Sequence, residues 1–395
     1  MIIKDRIKRW EAGDFQALWH EALSLSPPSR SEKKPPGQEP SLQQKNATHC
    51  LPYVKEGQYT RAAQALSSAG LAKQTPTITA ATRVLHPQSP RTLPPSEEPA
   101  VPPLRFSTLQ VAGAVKSFNA GTAPGPSGPR AEYLKDLTNP KSTTVATARW
   151  FLEALTKLVN MYAAGEAAKG AAVYNSGAKL YAGNMKVPGI RPIAVGEVIR
   201  CLVSKCFSLA LANKAAEIFA PFQLGFGVRG GCETIVHTVR SILEDSSIHP
   251  DQSWLLQVDL INAFNCYDRE AAFVEVRKLF PEASRWVEYM YGSQADLVFG
   301  DTIINSCQGG HQGDPLVGLI FAAVLHPIVK MISVEAPNLL INAWFADDGN
   351  QVGHRDELIK VIQILLRECL FRGLLISVRD TIPSHKTPKS TTFCP

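Results

Sequence analysis

Two acidic positions in this sequence have the residue types of a metal-dependent centre. Asp259 ends an apolar stretch, Trp254–Leu260, which is typical of a buried strand. Asp347 and Asp348 precede Gly349 between two further apolar stretches, where they would lie at the tip of a hairpin. Clustered carboxylates repel one another unless a cation neutralises them. Two Mg²⁺ ions about 4 Å apart would do so and would promote an in-line displacement at phosphorus.

Each acidic feature also has an ordinary explanation. Two aspartates before a glycine are common in tight turns. An aspartate after a strand is more often a helix cap or a loop residue than a metal ligand. The two features therefore indicate a metal centre only if the fold brings them together and the surrounding residues suit the same chemistry.

The composition fits a globular protein with a nucleic-acid partner but does not require one. The chain has 395 residues, 45% of them hydrophobic, and a formal net charge of +6. The eight cysteines include no CxxC pair, which argues against a zinc knuckle or a redox motif. The longest apolar run, about Leu316 to Ile332, is interrupted by His326, Pro327 and Lys330, so we expect no membrane span.

Helical and extended patterns alternate along the chain. Apolar spacing predicts helices over 150–162, 198–219, 233–243, 268–279, 282–291 and 356–371. Short extended segments are predicted at 179–182, 193–195, 254–260, 341–345 and 350–352, with a hairpin over 297–304 around Gly300-Asp301. The strand at 254–260 and the hairpin at 341–352 carry the three aspartates.

The segments around these aspartates resemble the motifs of reverse transcriptases. Asp259-Leu-Ile-Asn-Ala-Phe-Asn265 resembles motif A, Phe345-Ala-Asp-Asp348 resembles motif C, and Gln312-Gly-Asp-Pro-Leu316 between them resembles motif B. Upstream, Gly189-Ile-Arg-Pro-Ile193 resembles the fingers motif that contacts the incoming nucleotide, and Ala123-Pro-Gly-Pro-Ser-Gly128 is similar to a segment of non-LTR retrotransposon enzymes. Five motifs in the family's order, over about residues 107–383, are more specific than any one of them.

The resemblance implies an α+β fold with the palm and fingers of a right-hand polymerase. A small antiparallel sheet would carry the aspartates, with helices packed behind it. Residues 1–105 would form an N-terminal helical extension with disordered linkers at 26–47 and 86–103. Residues 106–250 would form the fingers and the start of the palm. Residues 251–395 would form the palm, truncated before a thumb.

The resemblance also implies which residues bind metal. Asp259, Asp347, Asp348 and the backbone carbonyl of Leu260 would hold two Mg²⁺ ions, for which Mn²⁺ could substitute. Asp259 and Asp347 would bridge both ions, and Asp348 would support them nearer the primer end.

Five residues are predicted to contact the nucleotide. Arg191 and Lys186 would bind the triphosphate, and Phe264 would be the aromatic gate that excludes a ribose 2′-hydroxyl. Gln312 and Gly313 would support the nascent base pair, where glycine permits close backbone approach. The ordinary alternatives are a surface salt bridge for the arginine, a core position for the phenylalanine and a plain loop for Gln312 and Gly313.

Three positions near the motifs depart from the family or carry a structural prediction. His311 stands where the non-LTR branch usually has arginine, and Asn184 falls where a triphosphate-binding lysine would be expected. Asp314 is predicted to cap the long helix that follows, with Pro315 at its first position.

These residues favour an RNA-directed DNA polymerase of a retroelement, which joins dNTPs to a primer 3′-hydroxyl on an RNA template. The alternative is a catalytically inactive, truncated remnant that binds RNA without polymerising. An RNA-dependent RNA polymerase would also place two aspartates after a turn, but an aromatic gate at Phe264 argues against it. The start of the chain, MIIKDRIKRW, is too charged for a secretory signal peptide, so we expect an intracellular protein. A nuclear location follows only from the resemblance, and no oligomeric state is predicted.

Overall fold

The computed structural model describes residues 2–24, 41–55, 57, 59–88, 101–119, 121–185 and 189–382. The chain divides into two compact units, Met1–Gly70 and Leu71–Pro395. The described part of the first unit contains the helices α1 (Ile2–Glu11), α2 (Phe15–Ser24), α3 (Leu42–Lys55) and α4 (Tyr59–Leu66).

Polar contacts pair the helices of the first unit. Arg9 of α1 forms an ion pair with Glu21 of α2, with 2.6 Å between Arg9 Nη1 and Glu21 Oε2. Asn46 of α3 donates hydrogen bonds to the carbonyls of Leu66 and Ser68 at the end of α4, at 3.1 and 2.8 Å. Each helix pair is thus fixed by side chains that the sequence pattern did not single out.

The predicted disordered linkers fall largely outside the described residues. Residues 26–40 of the first predicted linker, 26–47, are not described, but α3 begins at Leu42, so the end of that stretch is helical. Residues 89–100 of the second, 86–103, are likewise outside the described part of the chain.

The second unit combines many helices with two small sheets. Its helices are α5 (Pro76–Val84), α6 (Thr108–Lys116), α7 (Ala131–Thr138), α8 (Val145–Ala163), α9 (Ala172–Ser176), α10 (Val198–Phe219), α11 (Gly231–Glu244), α12 (Ala263–Cys266), α13 (Arg269–Leu279), α14 (Pro281–Tyr291), α15 (Val317–Glu335) and α16 (Arg355–Phe371). Its strands are β1 (Ala178–Asn184), β2 (Ile190–Gly196), β3 (Trp254–Ile261), β4 (Ala295–Phe299), β5 (Thr302–Ser306), β6 (Ile341–Phe345), β7 (Asp348–Gly353) and β8 (Leu375–Ile382). The predicted α+β class is therefore confirmed, and so is a small antiparallel sheet that carries the aspartates.

That sheet has the strand order β6-β7-β3-β8 and is antiparallel throughout. Side chains alternate between the two faces of a strand. Leu256, Val258 and Leu260 of β3 are buried in the main core, so Gln257 and Asp259 lie on the opposite face. The alternation along β3 thus presents Asp259 away from the helices that pack behind the sheet.

The other sheet has the order β2-β1-β4-β5 and encloses a smaller core. Two antiparallel hairpins, β1–β2 and β4–β5, are joined by a parallel contact between β1 and β4 that pairs Ala178 with Leu297. The segment after Gly70 attaches to this sheet, because Ala72 donates its N–H to the carbonyl of Ala182 at 2.8 Å. This sheet positions β2, which carries Arg191.

The helix α15 is the centre of the main core. It packs against α10, α13 and α16. The most apolar 18-residue stretch of this helix has a mean hydropathy of 2.0, so by length and composition the helix could cross a membrane. However, 67% of that stretch is buried inside the protein. His326, Pro327 and Lys330 interrupt the apolar run in the sequence, but the helix continues through all three.

Candidate metal and nucleotide site

Strand pairing brings the three aspartates to one end of the antiparallel sheet. Asp259 of β3 lies directly opposite Asp348 of β7. Asp347 joins them through the backbone, because the N–H of Leu260 donates to the carbonyl of Asp347 at 3.3 Å. All three aspartates are partly exposed. The sequence left open whether Asp259 meets the Asp347–Asp348 pair, and this register shows that adjacent strands bring them together.

The turn that carries Asp347 and Asp348 has an unusual backbone. Phe345 pairs with Asp348, so Ala346 and Asp347 are the two turn residues between β6 and β7. Ala346 has a φ of +54°, in the left-handed region that costs a residue with a Cβ roughly 1–2 kcal/mol. This turn needs support from outside the hairpin.

The support comes from Gln223, which sequence reasoning missed. Its side-chain Nε2 donates to the carbonyl of Ala346 at 2.9 Å, and its Oε1 accepts from the N–H of Ala346 at 2.8 Å. The only signal in the sequence is a Gln-Leu-Gly segment at 223–225, more than a hundred residues from the turn. Nothing local predicts that contact.

The aspartates repel one another in the metal-free protein. The pKa of Asp347 is raised to about 6, chiefly by burial and then by the charges of Asp348 and Asp259. Its own backbone N–H and the guanidinium of Arg191 act in the opposite direction. A cation at this position would remove the repulsion. Within the described residues, however, no three acidic, histidine or cysteine side chains already converge as a preformed metal cage.

Backbone contacts join the segment that follows Asp259 to the loop before α15. Gly310 donates its N–H to the carbonyl of Phe264, and Gly309 donates to the carbonyl of Tyr267, both at 2.8 Å. The ring of Phe264 is partly buried and lies 4.9 Å from the ring of Phe321 between centroids. Phe264 therefore packs against the core at one side and stays partly accessible at the other.

A second contact ties the same loop to β2. Ala194 donates its N–H to the carbonyl of Gln312 at 3.0 Å. Arg191 is three residues earlier on β2 and is exposed. This contact holds Gln312 and Gly313 beside Ala194, three residues along β2 from Arg191, and the charge of Arg191 acts on the pKa of Asp347. Lys186 lies outside the described residues.

Gly313 is required where the loop meets β2. Its φ is +140°, and a Cβ added there would lie 2.4 Å from the carbonyl oxygen of Ala194. We expect Gly313→Ala to lower the free energy of unfolding by roughly 1–3 kcal/mol through strain and overpacking. Urea unfolding of the purified chain measures this. Gly170→Ala is the control, because nothing lies within 4 Å of an added Cβ there. Equal stabilities for the two variants would contradict this contact.

The prediction for Asp314 was wrong in its main point. The helix α15 begins at Val317, and its N-cap, Leu316, makes no side-chain cap. Asp314 Oδ1 accepts from the N–H of Leu316 at 2.9 Å, but Oδ2 forms a buried ion pair with Arg200, 2.9 Å from its Nη2. The hydroxyl of Tyr291 donates to the same Oδ2 at 3.0 Å. The side chain of Asp314 is therefore part of a buried polar network in the core.

His311 belongs to this buried network. Its Nδ1 lies 2.7 Å from Arg200 Nη1, and its Nε2 lies 3.2 Å from the hydroxyl of Ser306. Burial and the neighbouring charges of Arg200 and Arg269 hold the pKa of His311 well below its usual value. A neutral imidazole can accept at Nδ1 from the guanidinium and donate at Nε2. His311 therefore fixes the start of the Gln312–Gly313 loop.

No protein-family model and no curated protein matches the chain. Among solved structures, apo telomerase from Candida tropicalis is similar at 12% identity and a TM-score of 0.39, over 51% of this chain and 42% of that chain. Telomerase from Candida albicans in complex with the TWJ fragment of telomeric RNA is similar at 10% identity and 0.39, with the same coverage. A form of the Candida tropicalis enzyme truncated from its C-terminal domain matches at 12% and 0.39, over 55% of this chain and 52% of that chain. Likeness at this level does not by itself assign a family or an activity.

Proposed function

We propose that this chain is an RNA-directed DNA polymerase of the reverse-transcriptase type, from a non-LTR retroelement, with the palm and fingers of a right-hand polymerase. The observation that carries the proposal is the pairing of Asp259 with Asp348, with Asp347 bonded through its carbonyl to Leu260. Asp259 is distant in sequence from Asp347 and Asp348, and both segments resemble motifs of reverse transcriptases. Their juxtaposition on one sheet is what a shared metal centre requires.

The donor set suits magnesium. Carboxylate and carbonyl oxygens are the hard ligands that Mg²⁺ prefers, and Mg²⁺ keeps waters and substrate phosphates in its shell instead of a complete protein cage. Asp259 and Asp347 would be the main residues that hold two ions, with Asp348 and the carbonyl of Leu260 in support. When bound, the two ions would activate the primer 3′-hydroxyl and stabilise the departing pyrophosphate.

The remaining residues would place the nucleotide. Arg191, exposed on β2 and near enough to influence Asp347, would bind the triphosphate through its planar guanidinium. Lys186 would be a second cation. Gln312 and Gly313 would present backbone to the nascent base pair, because their loop is fixed to β2. The partners of the site would be an RNA template, a DNA primer and dNTPs.

Phe264 would exclude ribonucleotides. We expect Phe264→Ala to raise the ratio of NTP to dNTP incorporation efficiency by at least about tenfold, because the small side chain leaves room for a 2′-hydroxyl. Both efficiencies are measured on the same preparation of the variant. A smaller folded fraction, caused by the missing contact with Phe321, therefore lowers both equally and leaves their ratio unchanged. Phe321→Leu, which weakens the same ring contact from the core side, should leave the ratio unchanged. An unaltered ratio in Phe264→Ala would show that this ring is a core residue and nothing more.

The proposal is tested by primer extension with the purified full chain. A labelled DNA primer on an RNA template is incubated with dNTPs and Mg²⁺, and binding of the same primer–template is measured by fluorescence anisotropy. We expect both binding and metal-dependent extension. Tight binding without extension would overturn the proposal and support the inactive RNA-binding alternative. Extension with NTPs in preference to dNTPs would indicate an RNA polymerase instead.

A further inference from the structure

A segment distant in sequence runs beside the strand that leads to the aspartate turn. The N–H of Trp344 donates to the carbonyl of Phe222 at 2.7 Å, and the N–H of Leu224 donates to the carbonyl of Trp344 at 2.8 Å. Gln223 therefore pairs with Trp344 in a parallel bridge. This pairing places the side chain of Gln223, which is only 4% exposed, against the turn that follows β6.

The side-chain amide of Gln223 makes three hydrogen bonds, and two of them are at the turn. Nε2 donates to the carbonyl of Ala346, and Oε1 accepts from the N–H groups of Ala346 and Gly225, the latter at 2.9 Å. The amide thus holds both polar groups of a single residue. Gly225 permits this approach, because a Cβ added there would lie 2.4 Å from the nitrogen of Ala346.

The turn sequence explains why such a clamp is needed. Two-residue hairpin turns favour Asn-Gly or Gly-containing pairs, because their backbone requires positive φ. Here the pair is Ala346-Asp347, and Ala346 adopts +54° without that preference. Outside contacts must over-determine such a conformation for it to persist. Gln223 supplies those contacts, at the residue directly before Asp347.

We infer that Gln223 is a positioning residue for the candidate metal centre. Its side chain holds the Ala346 peptide so that Asp347 and Asp348 face Asp259. This inference rests on the proposed function. Gln223 touches neither metal nor nucleotide and acts through the backbone of the turn. Groups that orient metal ligands in this way are commonly worth 10–100-fold in metal affinity or activity.

The chain offers a matched control for the loss of a buried glutamine. Gln351 lies on β7 of the same sheet and is fully buried. Its Nε2 is 3.5 Å from Asn342 Oδ1, and its Oε1 has no partner among the described residues. Neither atom contacts the turn. Gln223→Met and Gln351→Met therefore remove the same group at similar volume, but only the first releases Ala346.

The first readout needs neither metal nor activity. Amide hydrogen exchange in the metal-free full chain is compared for the wild type and the two variants. We expect Gln223→Met to raise exchange at least tenfold in the peptide containing residues 344–349. Gln351→Met should leave the exchange at Ala346 and Asp347 unchanged. Unchanged exchange in Gln223→Met would overturn the inference, whether or not the chain is a polymerase.

The second readout is the metal dependence of primer extension. We expect Gln223→Met to lower kcat by about 10–100-fold and to raise the Mg²⁺ concentration for half-maximal rate, with KM for the dNTP within about threefold. Raised Mg²⁺ should restore part of the rate, and Gln351→Met should behave as wild type. A rate loss that only follows the folded fraction, with unchanged Mg²⁺ dependence, would contradict positioning. If the wild type itself fails to extend, the proposed function fails, and Mn²⁺ binding followed by electron paramagnetic resonance decides whether Gln223→Met weakens the metal site.

Discussion

Replacing Asp347 with asparagine is expected to abolish nucleotide addition and to stabilise the metal-free protein at pH 8. The rate should fall by about a thousandfold or more, because metal coordination supplies several kcal/mol of transition-state stabilisation. Asparagine keeps the size of the side chain and can keep the backbone contact of residue 347 with Leu260. A loss of rate would therefore reflect the missing carboxylate charge.

The stability effect follows from the pKa of Asp347, which rises from an ordinary 3.8 to about 6 in the folded chain. Burial, Asp348 and Asp259 all oppose the charged form, so the folded state binds this proton more tightly than the unfolded state. Stability is therefore lost as pH rises from about 4 to about 6 and stays lower above that. A pKa change of this size corresponds to roughly 3 kcal/mol. Asparagine carries no charge at any pH, so the Asp347→Asn variant does not lose this stability as pH rises.

Urea unfolding in the presence of a chelator measures this difference. Asp347→Asn should exceed the wild type by up to roughly 3 kcal/mol at pH 8 and match it below pH 4. Asp301→Asn, at an exposed position in the β4–β5 turn, is the control and should match the wild type throughout. Added Mg²⁺ should stabilise the wild type more than Asp347→Asn, because only the wild type binds it well. A stability difference between Asp347→Asn and the wild type that does not grow as pH rises from 4 to 6 would contradict the raised pKa of Asp347.

Replacing Arg200 with alanine is expected to cost roughly 3–5 kcal/mol of stability, the usual result of removing one partner of a buried ion pair. The side chains of Arg200 and Asp314 are each 2% exposed. Arg200 also donates to the hydroxyl of Tyr291 at 2.9 Å and to the carbonyl of Ser176 at 2.8 Å. Its loss would leave a buried carboxylate with its main countercharge removed, beside His311 at the start of the Gln312–Gly313 loop.

Chemical denaturation of the purified variants measures this cost. Arg149→Ala is the control, because Arg149 and Glu153 form an exposed pair on α8 that should contribute less than about 1 kcal/mol. The double variant Arg200→Met with Asp314→Leu should recover much of the loss, since an apolar pair of similar volume needs no countercharge. Similar costs for Arg200→Ala and Arg149→Ala would show that the buried network contributes little.

Local patterns in the sequence predicted much of the fold. The stretch Trp254–Leu260 reappears as β3, the predicted helix over 198–219 is α10, and the hairpin around Gly300-Asp301 is β4–β5. Each of these elements is predicted by its own residues, through apolar periodicity or a turn signal. The sequence also predicted that Asp259 and the Asp347–Asp348 pair lie at the ends of strands, but it left open whether the fold brings them together.

Contacts between distant residues could not be predicted in this way. Arg200 and Asp314 are separated by more than a hundred residues, and neither carries a mark of its partner. Asp314 before Pro315 has the local pattern of a helix cap, but its side chain forms an ion pair with Arg200, and α15 begins later, at Val317. The contact of Gln223 with Ala346 could not be predicted for the same reason, because the two residues are distant in sequence. The parallel contact between β1 and β4 also depends on packing that no single segment encodes.

The proposed polymerase activity is tested most directly by single-nucleotide addition to a DNA primer on RNA templates that differ only at the next base. The full chain, with Mg²⁺, is offered each dNTP separately, beside Asp347→Asn at equal concentration. We expect the wild type to add only the complementary nucleotide, and Asp347→Asn to add none while binding the primer–template equally well. Addition that ignores the template base, addition that survives in Asp347→Asn, or no addition by a wild type that binds the primer–template would contradict it.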